Sequence, residues 1–289
     1  MSYVDLYLDR SKYNPHLCYD INTDAILFGV PFDSTHSFRP GTRFAPNAIR
    51  ELFDNIETVV PDLAVDIDKI SISDIGNTKH TVESKVMLSM VNKITSELSK
   101  THKQLFILGG EHLITFGSYT AFPNNVGYVV FDAHYDLRNE YGDTKFNHAT
   151  YLRRIIEKNN TAENVIHVGA RAYSSEELEF KTKYDIVSIT DKDIRNDNGP
   201  KLLTDMCSTF DQIYLSVDLD VLDPAYAPGV GNPEALGITS RELFNMILIL
   251  NEKNILCTDI VELCPIFDNG STTSIAAKLL SYILAMNKN

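Results

Sequence analysis

The sequence predicts an α/β protein, a mainly parallel β-sheet covered by helices. Three observations predict it. Short apolar, β-rich runs alternate with segments of helical spacing along the chain. The runs are nearly continuously apolar, as strands buried on both faces must be. The chain has 289 residues, of which 44% are hydrophobic, so it can bury one large core. No linker-like stretch, composition break or internal repeat divides it, so a single domain over residues 1–289 is expected. Strands of this kind close as a barrel or lie open as a doubly wound sheet, and counting them does not separate the two. In both, the active site lies at the carboxyl ends of the strands.

The elements follow in order. An apolar run at 24–30 (DAILFGV) opens the pattern. A helix at 45–53 (APNAIRELF) carries Pro46 in its first turn, where a missing N–H costs little. A run at 69–75 (KISISDI) precedes a helix at 81–100, which opens with Thr81 and Glu83 and keeps helical apolar spacing. Five runs come next, at 104–110, 127–133, 164–170, 185–190 and 213–219. A helix at 239–250 opens with T-x-x-E-like chemistry at Ser240 and Glu242. The last run, 254–263, leads to a helix at 271–286 that starts after Gly270 with a hydroxyl-rich cap.

Composition excludes several classes. The net charge is −13, and nucleic-acid binding needs a basic footprint, so no nucleic-acid partner is expected. No run approaches the roughly 18 apolar residues that span a bilayer, so no membrane partner is expected either. The opening MSYVDLYLDRSKYNPHL lacks a basic segment followed by an apolar one, which argues against a secretory signal and for a cytoplasmic protein. Cys18, Cys207, Cys257 and Cys264 form no C-x-x-C pair and read as buried thiols.

The chemistry lies at the strand ends. The stretch YVVFDAHYD leaves an apolar run and then sets Asp132, His134 and Asp136 two residues apart. Alternate residues of an extended segment point the same way. Three such groups are costly to bury without a cation. The stretch IYLSVDLDVLDP repeats the device with Asp218 and Asp220, whereas Asp223 before Pro224 reads as a turn former. In LFILGGEHL, Gly109 and Gly110 permit close backbone approach, and His112 follows. Four carboxylates balance two divalent cations. Mixed oxygen and nitrogen ligation without thiolate suits Mn²⁺, with Zn²⁺, Co²⁺ or Fe²⁺ as alternatives. Two such ions roughly 3.5–4 Å apart can share a water and ionise it near neutral pH.

These residues resemble the arginase/agmatinase ureohydrolase family. GVPFDSTHSFRPGTRFAPNAIRE is similar to the family's N-terminal segment, GGEHL to its Gly-Gly-Asp-His-Ser element, and FDAHYD to its Asp-Ala-His-x-Asp element. SVDLDVLDPAYAPGVGNPEALGITSRE is similar to its Ser-x-Asp-x-Asp-x-x-Asp-Pro signature and the extension behind it. The resemblance implies an open eight-stranded parallel sheet in a three-layer α/β/α arrangement, two Mn²⁺ per chain, a homo-trimer or homo-hexamer, and hydrolysis of a guanidino group to urea. It also implies roles. Asp132 and Asp218 would bridge the ions, His112 and Asp136 would complete one site, and His134 and Asp220 the other. His148, in YGDTKFNHATYLRR, would be the proton shuttle. Glu262, in DIVELCP, would hold the guanidinium; a carboxylate ending an apolar strand is costly without a partner, and the substrate's charge would compensate it.

The implied mechanism is attack of an activated water on the guanidinium carbon, with Asp136 taking its proton and His148 passing one to the leaving amine. The expected substrate is a small cationic guanidino compound, agmatine giving putrescine and urea. Arginine, guanidinobutyrate and formimidoylglutamate are alternatives, the acidic ones needing a cation at the mouth from Arg138, Lys145 or Arg171. A dinuclear metallophosphatase would leave Glu262 unexplained, and a non-catalytic homologue would leave the six ligands unexplained. Glu111 for Asp, Asn77 for an acid, Ala149 for Gly, and GVGNPEALG are departures that bear on substrate and rate. Among the other histidines, His16, His80 and His102 read as surface or loop residues, His167 as core, and His36 as facing the site.

Overall fold

The computed structural model describes residues 2–9 and 22–286; His16 and Cys18 lie outside them. The strands are β1 (Leu8–Asp9), β2 (Ala25–Gly29), β3 (Ile72–Thr78), β4 (Gln104–Leu108), β5 (Gly127–Phe131), β6 (Val165–Val168), β7 (Val187–Ile189), β8 (Gln212–Asp218) and β9 (Asn254–Val261). They form one open sheet in the order β1-β3-β2-β4-β9-β8-β5-β6-β7. Eight strands, β2 to β9, run parallel. The two-residue β1 adds an antiparallel edge on β3, pairing Leu8 with Thr78. A separate hairpin pairs Val59–Val60 with Val65–Asp66.

Among the described residues the α-helices are α1 (Tyr3–Tyr7), which precedes the first strand, α2 (Ala45–Phe53), α3 (Ser84–Leu98), α4 (Ile114–Tyr119), α5 (Tyr151–Asn159), α6 (Ser175–Lys183), α7 (Asp191–Arg195), α8 (Gly199–Cys207), α9 (Ser240–Leu248), and α10 (Ser271–Met286), which follows the last. They cover both faces. Alternate strand residues divide between two cores, as a period of two requires. Leu27, Phe106, Val129 and Leu215 pack with Ile49, Leu203, Leu243 and Leu279 of α2, α8, α9 and α10. Ile26, Leu105, Val130 and Tyr214 pack with Val91, Ile114 and Ile155 of α3, α4 and α5. The sheet is thus the middle of three layers, which is why its strands carry no polar face. Among the described residues no helix is long and apolar enough to cross a membrane.

Three local differences from the expected elements have physical causes. The strand expected at 69–75 is β3, displaced toward Thr78, because residues 67–69 form a 3₁₀ turn capped by Asp66, whose carboxylate accepts from Asp68 N at 3.2 Å. The box that starts α9 uses Thr239 rather than Ser240. Thr239 Oγ1 accepts from Glu242 N at 3.1 Å, and Glu242 accepts from Thr239 N at 2.7 Å. Helix α10 is capped by Asp268, which accepts from Thr272 N and Thr273 N at 3.0 and 2.8 Å, so the cap is a carboxylate rather than the hydroxyls after Gly270.

Candidate active site

The strand order brings distant parts of the chain to one place. β8 and β9, last in sequence, insert between β5 and β4. The four central strands β4, β9, β8 and β5 therefore end side by side, and each carries polar groups just beyond its end. His112 follows β4, Glu262 follows β9, Asp218 ends β8 with Asp220 in the turn after it, and Asp132, His134 and Asp136 follow β5. Gly110 makes the first of these turns possible. A Cβ on it would stand 1.9 Å from the Phe32 carbonyl oxygen, and its N–H donates to Val30 O at 2.9 Å.

The two imidazoles and four carboxylates converge. His112 Nδ1 lies 3.0 Å from Asp132, 3.1 Å from Asp218 and 3.7 Å from Asp136. His134 Nδ1 lies 2.9 Å from Asp220 and 3.6 Å from Asp132. Asp132 thus stands between two clusters, His112–Asp132–Asp218 and Asp132–His134–Asp220. Convergence does not follow the simple alternation expected of 132–136. β5 ends at Phe131, and Asp136 reaches the cluster through a left-handed backbone, φ 51°. Glu262 has φ 65°. Such conformations are costly for non-glycine residues and persist where surrounding contacts fix them.

Hydrogen bonding assigns the free atom of His112. Ser216 Oγ donates to Asp259 at 2.5 Å, so it accepts from His112 Nε2–H at 2.9 Å. In the neutral ring Nδ1 then carries a lone pair. That atom and Asp132 Oδ2 are buried without a hydrogen-bond partner, and they face each other. Two lone pairs at 3.0 Å repel unless a cation lies between them. With no metal, a proton fills that place: burial opposes charging His112, yet Asp132 and the neighbouring carboxylates raise it to about 9, and a metal cation would displace that proton. Burial pushes the carboxyls of Asp136, Asp218 and Asp220 above the usual range; neighbouring carboxylates add to the shift for Asp136 and Asp218, and His134 opposes it for Asp220. Burial acts likewise on Asp132, but His112 and His134 outweigh it and hold that carboxyl low. The donor set fits two divalent cations.

The remaining predicted residues line the same open cavity of about 490 Å³, into which His134, Asp136, Asp218, Asp220, His148 and Glu262 all face. His148 begins a 3₁₀ turn capped by Asn147, and its ring lies 3.2 Å from Ser37 Oγ and 3.4 Å from Thr35 Oγ1. Burial, aided by His36 and His134 and opposed by Glu262, lowers it to about 4, so the ring is neutral at neutral pH. Glu262 is not the unpaired carboxylate expected. Its Oε1 accepts from His112 N at 2.8 Å, and its Oε2 lies 2.8 Å from His36 Nε2. Burial opposes both charges, yet the pairing holds Glu262 at about 2 and raises His36 to about 9.

Other expectations resolve differently. Arg171 is not available to a substrate, because it donates to the carbonyls of Asp220, Val221, Glu234 and Ala235 at 2.8–3.0 Å, tying the loop after β8 in place. Arg138 does line the cavity, 3.8 Å from Glu177 and over the Tyr141 ring. Lys145 is exposed and does not line it. Asp223 serves its turn, accepting from Ala225 N and Gly237 N at 3.0 and 3.1 Å. Asn77 accepts from Arg50 at 2.6 Å, while Asp74 supplies the charge. Glu111 is fully buried and accepts from Thr35 N at 2.9 Å and from the Thr35 hydroxyl, which itself accepts from His148 N at 3.1 Å. The departure at 111 therefore reaches the shuttle candidate through Thr35.

Sequence reasoning missed Asp259, Ser216 and the role of His167. Asp259 accepts from Thr115, Tyr214 and Ser216 at 2.7, 2.6 and 2.5 Å and so orients His112. An aspartate in the middle of the apolar run NILCTDIVEL was its signal. His167 is fully buried, as expected of a core residue, but its Nε2 also donates to His134 O at 2.7 Å. Cys207, Cys257 and Cys264 are free and buried.

The arginase family's model matches residues 23–286. The chain is similar to the N(1)-aminopropylagmatine ureohydrolase of Thermococcus kodakarensis, with 36% identity covering 89% of this chain and 88% of that one. It is similar to the agmatinase of Bacillus anthracis, with 30% identity covering 96% of each. Among solved structures it is similar to the agmatine ureohydrolase of Thermoplasma volcanium, with a TM-score of 0.88, 33% identity, and coverage of 93% and 91%.

Proposed function

The chain belongs to the arginase family, and we infer that it hydrolyses a small cationic guanidino compound to urea and an amine. Agmatine, giving putrescine and urea, is the substrate we propose. Three things support the finer reading. Relatives over most of the chain carry agmatinase and agmatine ureohydrolase names. The cavity has an acidic floor. Arg171, one of the cations an acidic substrate would need, is held by backbone carbonyls.

The residues present fit two divalent ions, and Mn²⁺ suits their oxygen and nitrogen donors. His112, Asp132, Asp136 and Asp218 would hold one, and Asp132, His134, Asp218 and Asp220 the other. When bound, the ions would make water a nucleophile near neutral pH and stabilise developing negative charge. Glu262 would anchor the guanidinium, presenting its carbon to the attacking water. Asp136 would accept the proton that this water loses. His148, neutral at working pH, would take up a proton and deliver it to the leaving amine nitrogen. One water is consumed, the C–N bond to the substrate's chain breaks, and urea leaves with a protonated amine.

The observation that carries this reading is Glu262, a carboxylate fixed at the cavity floor beside the metal-type cluster. A phosphate ester would be repelled there. A second, longer substrate, agmatine extended at its amine, is favoured by the aromatic side chains Phe38, Tyr141 and Tyr173 at the cavity, where a distal ammonium could rest on a ring. A urea-release assay on Mn²⁺-loaded protein tests the proposal, run on agmatine, N1-aminopropylagmatine, arginine and guanidinobutyrate, with formamide scored for formimidoylglutamate. Agmatine should give the highest kcat/KM. A strong preference for arginine or for an acidic substrate would reject agmatine, and phosphate release from phosphoesters without urea from any guanidine would reject the class.

A further inference from the structure

The anchoring of Glu262 uses a residue that the reaction as derived above does not. We propose that His36 is a positioning residue for the guanidinium site: its Nε2–H, 2.8 Å from Glu262 Oε2, fixes the plane of the carboxylate that receives the substrate. The inference rests on the reading of Glu262 as the guanidinium anchor.

The terminal torsion of a glutamate is broad and soft. One hydrogen bond, from His112 N to Oε1, would leave the carboxylate free to swing about that contact. A second bond on the other oxygen stops the swing. Each oxygen then keeps a lone pair for the cavity side, and a guanidinium presents two parallel N–H groups that match such a fork. Either protonation state of an imidazole can donate from Nε2.

His36 is itself held tightly. Its side chain is 1% exposed. The ring stacks on His148 with centroids 5.3 Å apart and planes 12° apart. On another side it meets Gly231, where a Cβ would come within 2.1 Å of the ring, so only glycine leaves room for it. The segment GVGNPEALG, which differs from the commoner pattern of the family, thus makes space for the histidine. A residue that served only as filler could be apolar. This one places a donor on the anchor and its ring against the shuttle candidate.

The test is a set of variants on the Mn²⁺-loaded full chain with agmatine: His36→Leu, His36→Gln, Glu262→Gln and the Leu/Gln double variant. Leucine fills the space without a donor (methionine replaces it if the leucine variant does not fold), and glutamine restores an N–H without the ring. We expect leucine to lower kcat/KM about 10–100-fold, with KM raised, the range for a hydrogen bond to a charged group. Glutamine should restore most of the loss, and the double variant should be no worse than Glu262→Gln alone. Manganese content should match the parent throughout, whereas melting temperature should fall in His36→Leu, which leaves a buried carboxylate without its partner, and recover in the double variant. Wild-type kinetics in the leucine variant would overturn the inference, as would a glutamine variant as poor as leucine, or losses that multiply in the double variant. Normal kinetics in Glu262→Gln would instead remove the anchor, and the positioning role with it.

Discussion

At the scale of the residue, the atoms that matter most are those whose contacts leave something over. His112 donates from Nε2 to Ser216, and Ser216 donates to Asp259, which leaves Nδ1 facing carboxylates. Removing the middle of that chain should be felt by the metal rather than by the fold. Ser216→Ala should weaken manganese affinity about 10–100-fold, the usual range for a partner behind a ligand, in a chelator-competition titration. An unchanged affinity would mean that Ser216 does not orient the ring. His148 gives a second test. His148→Asn should lower turnover about 10²–10⁴-fold and leave manganese content intact. Its lowered pKa has a separate consequence. The unfolded chain takes a proton on this residue below about 6.5, which the buried ring refuses until about 4, so unfolding takes up a proton between them. Stability of the metal-free chain should therefore fall from pH 6.5 to 4 more steeply in the wild type than in His148→Asn. Parallel pH curves from denaturant melts would show that the ring is not held neutral.

At the scale of the element, capping and turn chemistry position the strand ends. The box at Thr239 and Glu242 starts α9, which packs under the sheet through Leu243 and Ile247. Thr239→Ala should cost about 1 kcal/mol in a denaturant melt, the typical loss for an N-cap hydroxyl, and Ser240→Ala should cost far less. Equal costs would return the cap to Ser240. The strands themselves were legible because their apolar runs are buried on both faces and are bounded by turns. All eight expected runs became strands, with ends shifted by a few residues. Helices α1 and α4 to α8 were not expected; α1, α4 and α7 are only five or six residues long, too short to show a helical period. In α6, only Glu177 and Phe180 are buried, so the sequence shows little of the apolar stripe that marks a helix.

At the scale of the whole molecule, the fold acts as a device for bringing remote segments together. His36 and Glu262 are 226 positions apart, and Thr35 and Glu111 are 76 apart. Neither pair could be read from local pattern. The acids and histidines that gather at the cavity were legible for the opposite reason, since a carboxylate leaving an apolar run is conspicuous wherever it occurs. What the sequence hid was their support: Ser216, Arg171 and Thr35 are ordinary residue types whose roles exist only in three dimensions, and Asp259, visible inside its apolar run, showed no partner there. We propose that the strand-end cluster is a dinuclear centre that hydrolyses guanidines. The most direct test is urea release from agmatine, followed as Mn²⁺ is added stepwise to metal-free protein, with bound manganese measured on the same samples. Activity should rise with bound metal and level off at two ions per chain. Full urea release from the metal-free chain, or a plateau at one ion, would contradict it.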